Sequence, residues 1–302
     1  MEINEFRRLL VQQGEELYRD MPWRQDTRPY YVLVSELMLQ QTQVDRVIPK
    51  FEQFIAQFPD EATLAAAPLA DVLRAWQGLG YNRRAKFLHE AAKSITSQGN
   101  FPQDETGLLA LPGVGINTAG AIRAYAYNQP AIYIETNVRA VYIHHFFHNQ
   151  ELVDDKQIRK IMLQTVPWAE GKEQPMERIQ SVPGITRKLG SPLDSNILSG
   201  DSTVGLSYGA REFYWALMDY GSLLKRQGVV PGRSSHYKKQ APLQGSLRQV
   251  RGQIVTFLAG ADSTHEALQA NFAGDVRFVS ALAGLVKDGL VVISGDNIHL
   301  TK

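Results

Sequence analysis

Apolar residues recur every three or four positions from about Asn4 to Gln150, as in Tyr31, Val34, Leu37 and Met38, and again in Leu73, Trp76, Leu88 and Ala91. That spacing puts them on one face of successive helices. Pro22, Pro29, Pro49, Pro59, Pro68, Gly78-Leu79-Gly80, Pro102, Pro112-Gly113 and Pro130 interrupt the pattern. The stretch therefore reads as many helices with short joints, and no alternating run competes there as a strand. Residues 171–207 are rich in Gly, Ser and Pro without a sustained apolar period and read as a mobile insertion. Helix resumes from Ala210 to Leu224 and leads into a turn-rich basic joint over 226–245.

The last segment has a different rhythm. Leu247 to Leu258 predicts a helix, Ser263 caps a short one to about Asn271, and Asp275 caps a third through Lys287. After Gly289, two β-rich runs flank Gly295-Asp296-Asn297, a hairpin signal. Three helices and a terminal hairpin spell a winged-helix domain over 246–302. Its third helix carries only Arg277 and Lys287 as cations, which disfavours direct base reading and leaves docking or weak phosphate contact.

With 302 residues and 44% apolar content, the chain can build one large domain and a small one. It lacks an apolar run of about 18 residues, and MEINEFRRLLVQQ reads as an amphipathic helix rather than a signal peptide. A cytoplasmic, nucleoid-associated location and no membrane partner are expected. The absence of cysteine excludes disulfides, thiolate catalysis, thiolate zinc sites and cysteine-held iron–sulfur clusters. His144 and His145 are neighbours on a predicted helix, so their side chains diverge by about 100° and suit structural roles better than a shared metal. A net charge of +1 gives no global sign of nucleic acid. Local charge differs: Lys225, Arg226, Arg233, Lys238, Lys239, Arg248 and Arg251 occupy a stretch with no Asp or Glu, either a solvated linker or a phosphate-facing patch.

Candidate chemistry lies in three places. Leu111-Pro112-Gly113-Val114-Gly115-Ile116-Asn117-Thr118-Ala119-Gly120 has the form of a helix-hairpin-helix. Its two glycines permit a tight turn whose free N–H groups, with the next helix's N-terminus, can hold a DNA phosphate. The plainer reading is a helical hairpin turn. Glu135 stands where a new helix begins after Pro130, as an ordinary cap or as a carboxylate facing a sugar that becomes cationic. Glu36 lies in the apolar helix VLVSELMLQQTQV, where burial would suit it to donate a proton, or where it partners an arginine.

The segments MPWRQDTRPYYVLVSELMLQQTQVDRVIPKFEQFIAQFP, LAAAPLADVLRAWQGLGYNRRAKFLHEAA and LPGVGINTAGAI closely resemble the adenine DNA glycosylases of the helix-hairpin-helix superfamily, over roughly residues 15–147 and again at REFYWALMDYG. The resemblance implies a mainly α fold of two helical lobes over 1–225. It implies that Glu36 protonates the departing adenine, that Gln41 and Tyr81 wedge into the duplex, and that Arg19, Trp23 and Leu39 surround the flipped base. Gly113, Val114, Gly115 and Thr118 match the phosphate hairpin, and Asn137 joins the DNA-binding set. Asn117 occupies the position where bifunctional relatives carry a lysine, which implies a monofunctional enzyme.

Three departures qualify the match. Glu135 replaces the superfamily's catalytic aspartate, extending the carboxylate by about 1.5 Å. The four cluster cysteines are missing, with Lys225 where the first is expected, so no cofactor is expected and Lys238 and Lys239 are candidates to contact DNA instead. A winged helix stands in place of the domain that reads 8-oxoguanine. The expected activity is hydrolytic release of a flipped, mispaired base, adenine opposite 8-oxoguanine or guanine, from double-stranded DNA by a monomer. A thymine or uracil glycosylase acting opposite guanine and an inactive damage sensor with a protein partner on the winged helix are the rivals.

Overall fold

The structure, a computed structural model, describes residues 1–167, 208–229, 234–235 and 242–302. The expected insertion at 171–207 and Lys238 and Lys239 lie outside the described residues.

The chain opens with α1 (Ile3–Glu16), α2 (Pro22–Gln25), α3 (Pro29–Leu39), α4 (Val44–Gln57) and α5 (Glu61–Ala66). It continues with α6 (Leu69–Ala75), α7 (Arg83–Gln98), α8 (Glu105–Leu109), α9 (Ile116–Tyr125), α10 (Thr136–Phe146) and α11 (Asp155–Thr165). After α12 (Ala210–Arg226) and α13 (Leu247–Gly260) come β1 (Ser263–Thr264), α14 (His265–Asn271), α15 (Phe278–Lys287), β2 (Val291–Ser294) and β3 (Asn297–Leu300). Local chemistry sets many of these ends. Proline opens α2 and α3, where its missing N–H would have no partner anyway. Asp60, Asp104 and Asp154 side chains cap α5, α8 and α11, and Gly99 ends α7 in the left-handed region at φ 75°. Among the described residues no helix is long and apolar enough to cross a membrane.

Two compact units emerge, each built from two chain segments: residues 1–27 with 120–238, and 28–119 with 239–302. In the first, α1 and α10 pack on α12, and α11 packs on α1 and α10, around Phe6, Leu10, Tyr142, Phe213 and Tyr214, all buried. The Phe6 and Tyr142 rings lie 5.2 Å apart, and His145 is tied to the Tyr220 hydroxyl at 2.9 Å, a structural use of that histidine.

In the second unit, α3 to α7 enclose Leu33, Leu37, Met38, Phe51, Phe54, Trp76 and Leu88. Residues 246–302 add a small apolar core of Val250, Ile254, Leu258, Leu268, Leu282, Leu285 and Ile298, closed by an antiparallel sheet of order β1-β3-β2. The hairpin at Gly295 forms as expected, pairing Val291 with Leu300 and Ser294 with Asn297. Two starts differ from expectation. Ser263 and Thr264 both pair with β3, and Thr264, the residue directly before α14, caps it by accepting from Ala267 N. Asp275 accepts from the Arg277 N–H and grips its guanidinium at 2.7 Å, so α15 begins only at Phe278. This segment seats on α6 and α7, where Arg74 donates to the Ala259 carbonyl at 2.9 Å and Lys86 to the Asp288 carbonyl at 2.8 Å.

Candidate active site and nucleic-acid interface

In the unit of residues 28–119 and 239–302, Glu36 and Leu39 ride on α3, and both are half-buried rather than enclosed. A helix leaves the carbonyls of its last turn without internal donors. Here one buried side chain supplies them: the Arg84 guanidinium donates to Leu37 O at 2.6 Å, Met38 O at 2.9 Å and Gln40 O at 2.6 Å. Its other terminal nitrogen donates to Leu79 O at 3.1 Å and Gly80 O at 3.0 Å. Burial lowers the Arg84 pKa to about 10, which leaves it charged at neutral pH.

Arg84 thereby joins the two loops that carry Gln41 and Tyr81. Both residues are left-handed, at φ 57° and 48°, and only Asn128 shares that conformation among the described non-glycine residues. Each such residue costs about 1–3 kcal/mol and persists where its surroundings over-determine it, a pattern associated with functional sites.

The Leu111–Ala119 turn belongs to the same unit. Leu111 and Val114 are buried anchors, and Val114 N donates to Leu111 O at 3.1 Å. The two glycines serve different needs. Gly113, at φ 78°, packs on Phe87, whose Cβ lies 2.6 Å from where a methyl group would stand. Gly115 is not left-handed, and the space its missing side chain leaves is open. The tight turn thus depends on Gly113 alone, while Gly115 keeps clear the approach to the first turn of α9. Thr118 is buried behind that turn and Asn117 is half-buried.

The unit of residues 1–27 and 120–238 holds Arg19, Trp23, Glu135 and Asn137. Glu135 occupies the N-cap position of α10 in extended conformation, yet its side chain makes no capping bond. The residue is half-buried, but its carboxyl is densely surrounded by protein. Lost hydration pushes its pKa above the usual carboxylate range, while Arg139 and Lys225 pull it down. Arg139 also grips Asp155 through two bonds of 2.8 and 2.7 Å. Lys225, on α12, has its own pKa lowered by burial and by Arg19.

Asn137 donates to the Met218 carbonyl at 3.1 Å, and its Oδ1 is buried without a hydrogen-bond partner. Arg19 donates to Asp219 Oδ1 at 2.6 Å, and Arg24 grips the same carboxylate at 2.7 and 3.0 Å. Trp23 is buried. Arg24, Arg84, Asp219 and Gly221 escaped the sequence reading. Asp219 and Gly221 carried a local signal, a charge and a glycine among the apolar positions of α12; Arg24 and Arg84 carried none.

Residues 34–167 match the family described as HhH-GPD superfamily base excision DNA repair protein. An adenine DNA glycosylase of Mycolicibacterium smegmatis (strain ATCC 700084 / mc(2)155) is 48% identical over 304 residues, covering 92% of this chain and 89% of that one. The chain belongs to the adenine DNA glycosylase family. A second adenine DNA glycosylase, from Buchnera aphidicola subsp. Baizongia pistaciae, is 37% identical over 150 residues, 49% of this chain and 42% of its own length. One from Rattus norvegicus is 39% identical over 148 residues, so this chain spans less than half of either of these two relatives. A solved thermostable thymine-DNA glycosylase, 21% identical, superposes with a TM-score of 0.51 over 73% of this chain and 88% of that one, which bears on the fold alone.

The residues present do not fit a cysteine-held iron–sulfur cluster. The chain has no cysteine, and Lys225, at the position expected for the first, is a cation whose charge favours the ionised form of Glu135.

Proposed function

We propose that this adenine DNA glycosylase hydrolyses the N-glycosidic bond of an adenine flipped out of mispaired double-stranded DNA, as a monofunctional enzyme of base-excision repair. The observation that carries the reading is Glu135: a carboxylate at a helix start, released from capping and flanked by Arg139 and Lys225. A carboxylate so placed suits the stabilisation of positive charge developing on a sugar as its base departs. Glu36 protonates the leaving adenine, and water completes the reaction. Asn117 offers no amine for Schiff-base cleavage.

Gln41 and Tyr81 act as wedges, an assignment supported by their shared strained backbone and common support on Arg84. Gly113, Val114, Gly115 and Thr118 bind a phosphate at the start of α9, and Arg19, Trp23 and Leu39 border the base. Lys238 and Lys239 contact the DNA backbone in place of a cluster loop. Residues 246–302 act as a winged helix, which the β1-β3-β2 sheet supports. No metal or cluster takes part, the enzyme works as a monomer, and it acts at the nucleoid.

Single-turnover assays on a panel of single mismatches, with alkali to reveal abasic sites, test this reading. Adenine release opposite 8-oxoguanine or guanine is expected, with loss in both Glu36→Gln and Glu135→Ala while DNA affinity is largely kept. Release of thymine or uracil alone, or undiminished activity in either variant, would overturn it.

A further inference from the structure

Residues 246–302 meet the rest of their unit beside Tyr81. With Arg74 holding the Ala259 carbonyl and Lys86 the Asp288 carbonyl, the first turn of α13 brings Arg248 to that residue. Arg248 Nη1 donates to the Tyr81 hydroxyl, and its guanidinium carbon lies 4.8 Å from the ring centroid. The Arg84 guanidinium lies 5.4 Å from the same centroid. Tyr81 stands on a turn whose Gly78 and Gly80 are both left-handed, at φ 92° and 70°, and glycine lends such a turn little stiffness of its own. A side chain that forces bases apart must resist being pushed aside, so its stiffness has to come from elsewhere.

We propose that Arg248 is a positioning residue for Tyr81: the C-terminal segment is an abutment that holds the ring rigid while it separates the target base from its partner. The proposal rests on the reading of Tyr81 as a wedge. It gives a use to an arginine of the basic stretch between Lys225 and Arg251 that neither a solvated linker nor a phosphate contact requires.

The test compares single-turnover adenine release from two substrates, one with adenine paired opposite 8-oxoguanine and one with the same adenine opposite a one-nucleotide gap. Only the first needs a partner base displaced. In Arg248→Ala the paired-to-gapped rate ratio should fall about tenfold, a difference of about 1.4 kcal/mol in barrier. Arg248→Lys, which keeps the charge but loses the planar face, should restore it only in part. Tyr81→Phe separates the hydroxyl's contribution from the ring's.

In parallel, 2-aminopurine placed beside the target adenine reports unstacking at saturating protein, and its fluorescence gain should shrink in Arg248→Ala. Equal losses on both substrates, or a ratio equal to that of the unaltered protein, would overturn the proposal. An unchanged ratio in Tyr81→Ala would remove the wedge reading and this proposal with it. If the unaltered protein released no base from either substrate, the glycosylase reading would fail, and the fluorescence comparison, which needs no chemistry, would still decide the role of Arg248.

Discussion

Gly221 lies against the backbone of Asn137 so closely that a methyl group built on it would overlap the Asn137 carbonyl, with the carbonyl carbon and Cα each 2.8 Å away. Helices α10 and α12 are therefore in backbone contact two residues beyond Glu135, and the Asn137 bond to Met218 O locks the same junction. Gly221→Ala should cost about 1–3 kcal/mol through overpacking. Because the displaced element carries Glu135, base release should fall further than stability accounts for. Urea unfolding and single-turnover rates measured well below the melting temperature separate the two, and a variant losing stability but no rate would break the link.

A pH dependence follows from the burial of Glu135. Its native pKa is raised, whereas the unfolded carboxyl ionises near about 4.3. The native state is thus disfavoured as pH climbs from the unfolded value to the native one, and the full penalty remains above it. Glu135→Gln should raise the melting temperature at neutral pH, with the gain disappearing in acid where the natural carboxyl is protonated. The acid limb of base release in the unaltered enzyme should lie above the ordinary glutamate range; a limb at the ordinary value would contradict the assignment.

The two hairpin glycines should respond differently to alanine. Gly113→Ala forces both a disfavoured φ and a clash with Phe87, so a loss of about 1–3 kcal/mol in stability is expected. Gly115→Ala meets open space and should leave the melting temperature nearly unchanged while weakening DNA binding, as a methyl group now stands where a phosphate approaches. Equal affinity for Gly115→Ala and the unaltered protein would count against phosphate binding at this turn.

Asp219 is 3% exposed and receives both Arg24 and Arg19. Asp219→Asn leaves a buried guanidinium without its counter-charge and should cost about 3–5 kcal/mol. Chemical denaturation measures this directly. A loss below 1 kcal/mol, about the ceiling for an exposed pair, would show that the cluster is hydrated.

Features whose causes lie within a few residues were legible in the sequence: Pro29 opening α3, the Gly295 hairpin, the turn at Gly113. What escaped depends on distant partners. Ser263 looks as able a cap as Thr264 until pairing with β3, whose Ile298 lies 35 residues beyond Ser263, sets both as a strand and starts α14 only at His265. Nothing near Arg84 announces that it will hold carbonyls 44 to 47 residues earlier. Glu135 is readable as an acid at a helix start, but the cation on α12 that moderates its burial is not, since Lys225 reads locally as one charge of a basic stretch, either solvated or facing phosphate.

The interleaved construction of the two units governs how the molecule comes into being. Leu10 accepts a bond from the Tyr208 hydroxyl, 198 residues further along. At about 5–20 residues per second, a ribosome needs on the order of 10–40 s to deliver that partner. Throughout this interval α1 lacks its cover from α12, although α10 brings Tyr142 to Phe6 earlier, and the segment from Arg28 to Ala119 is still waiting for α13. Nascent chains should accordingly be most open to proteases and to chaperone capture late in translation, with both halves closing almost together.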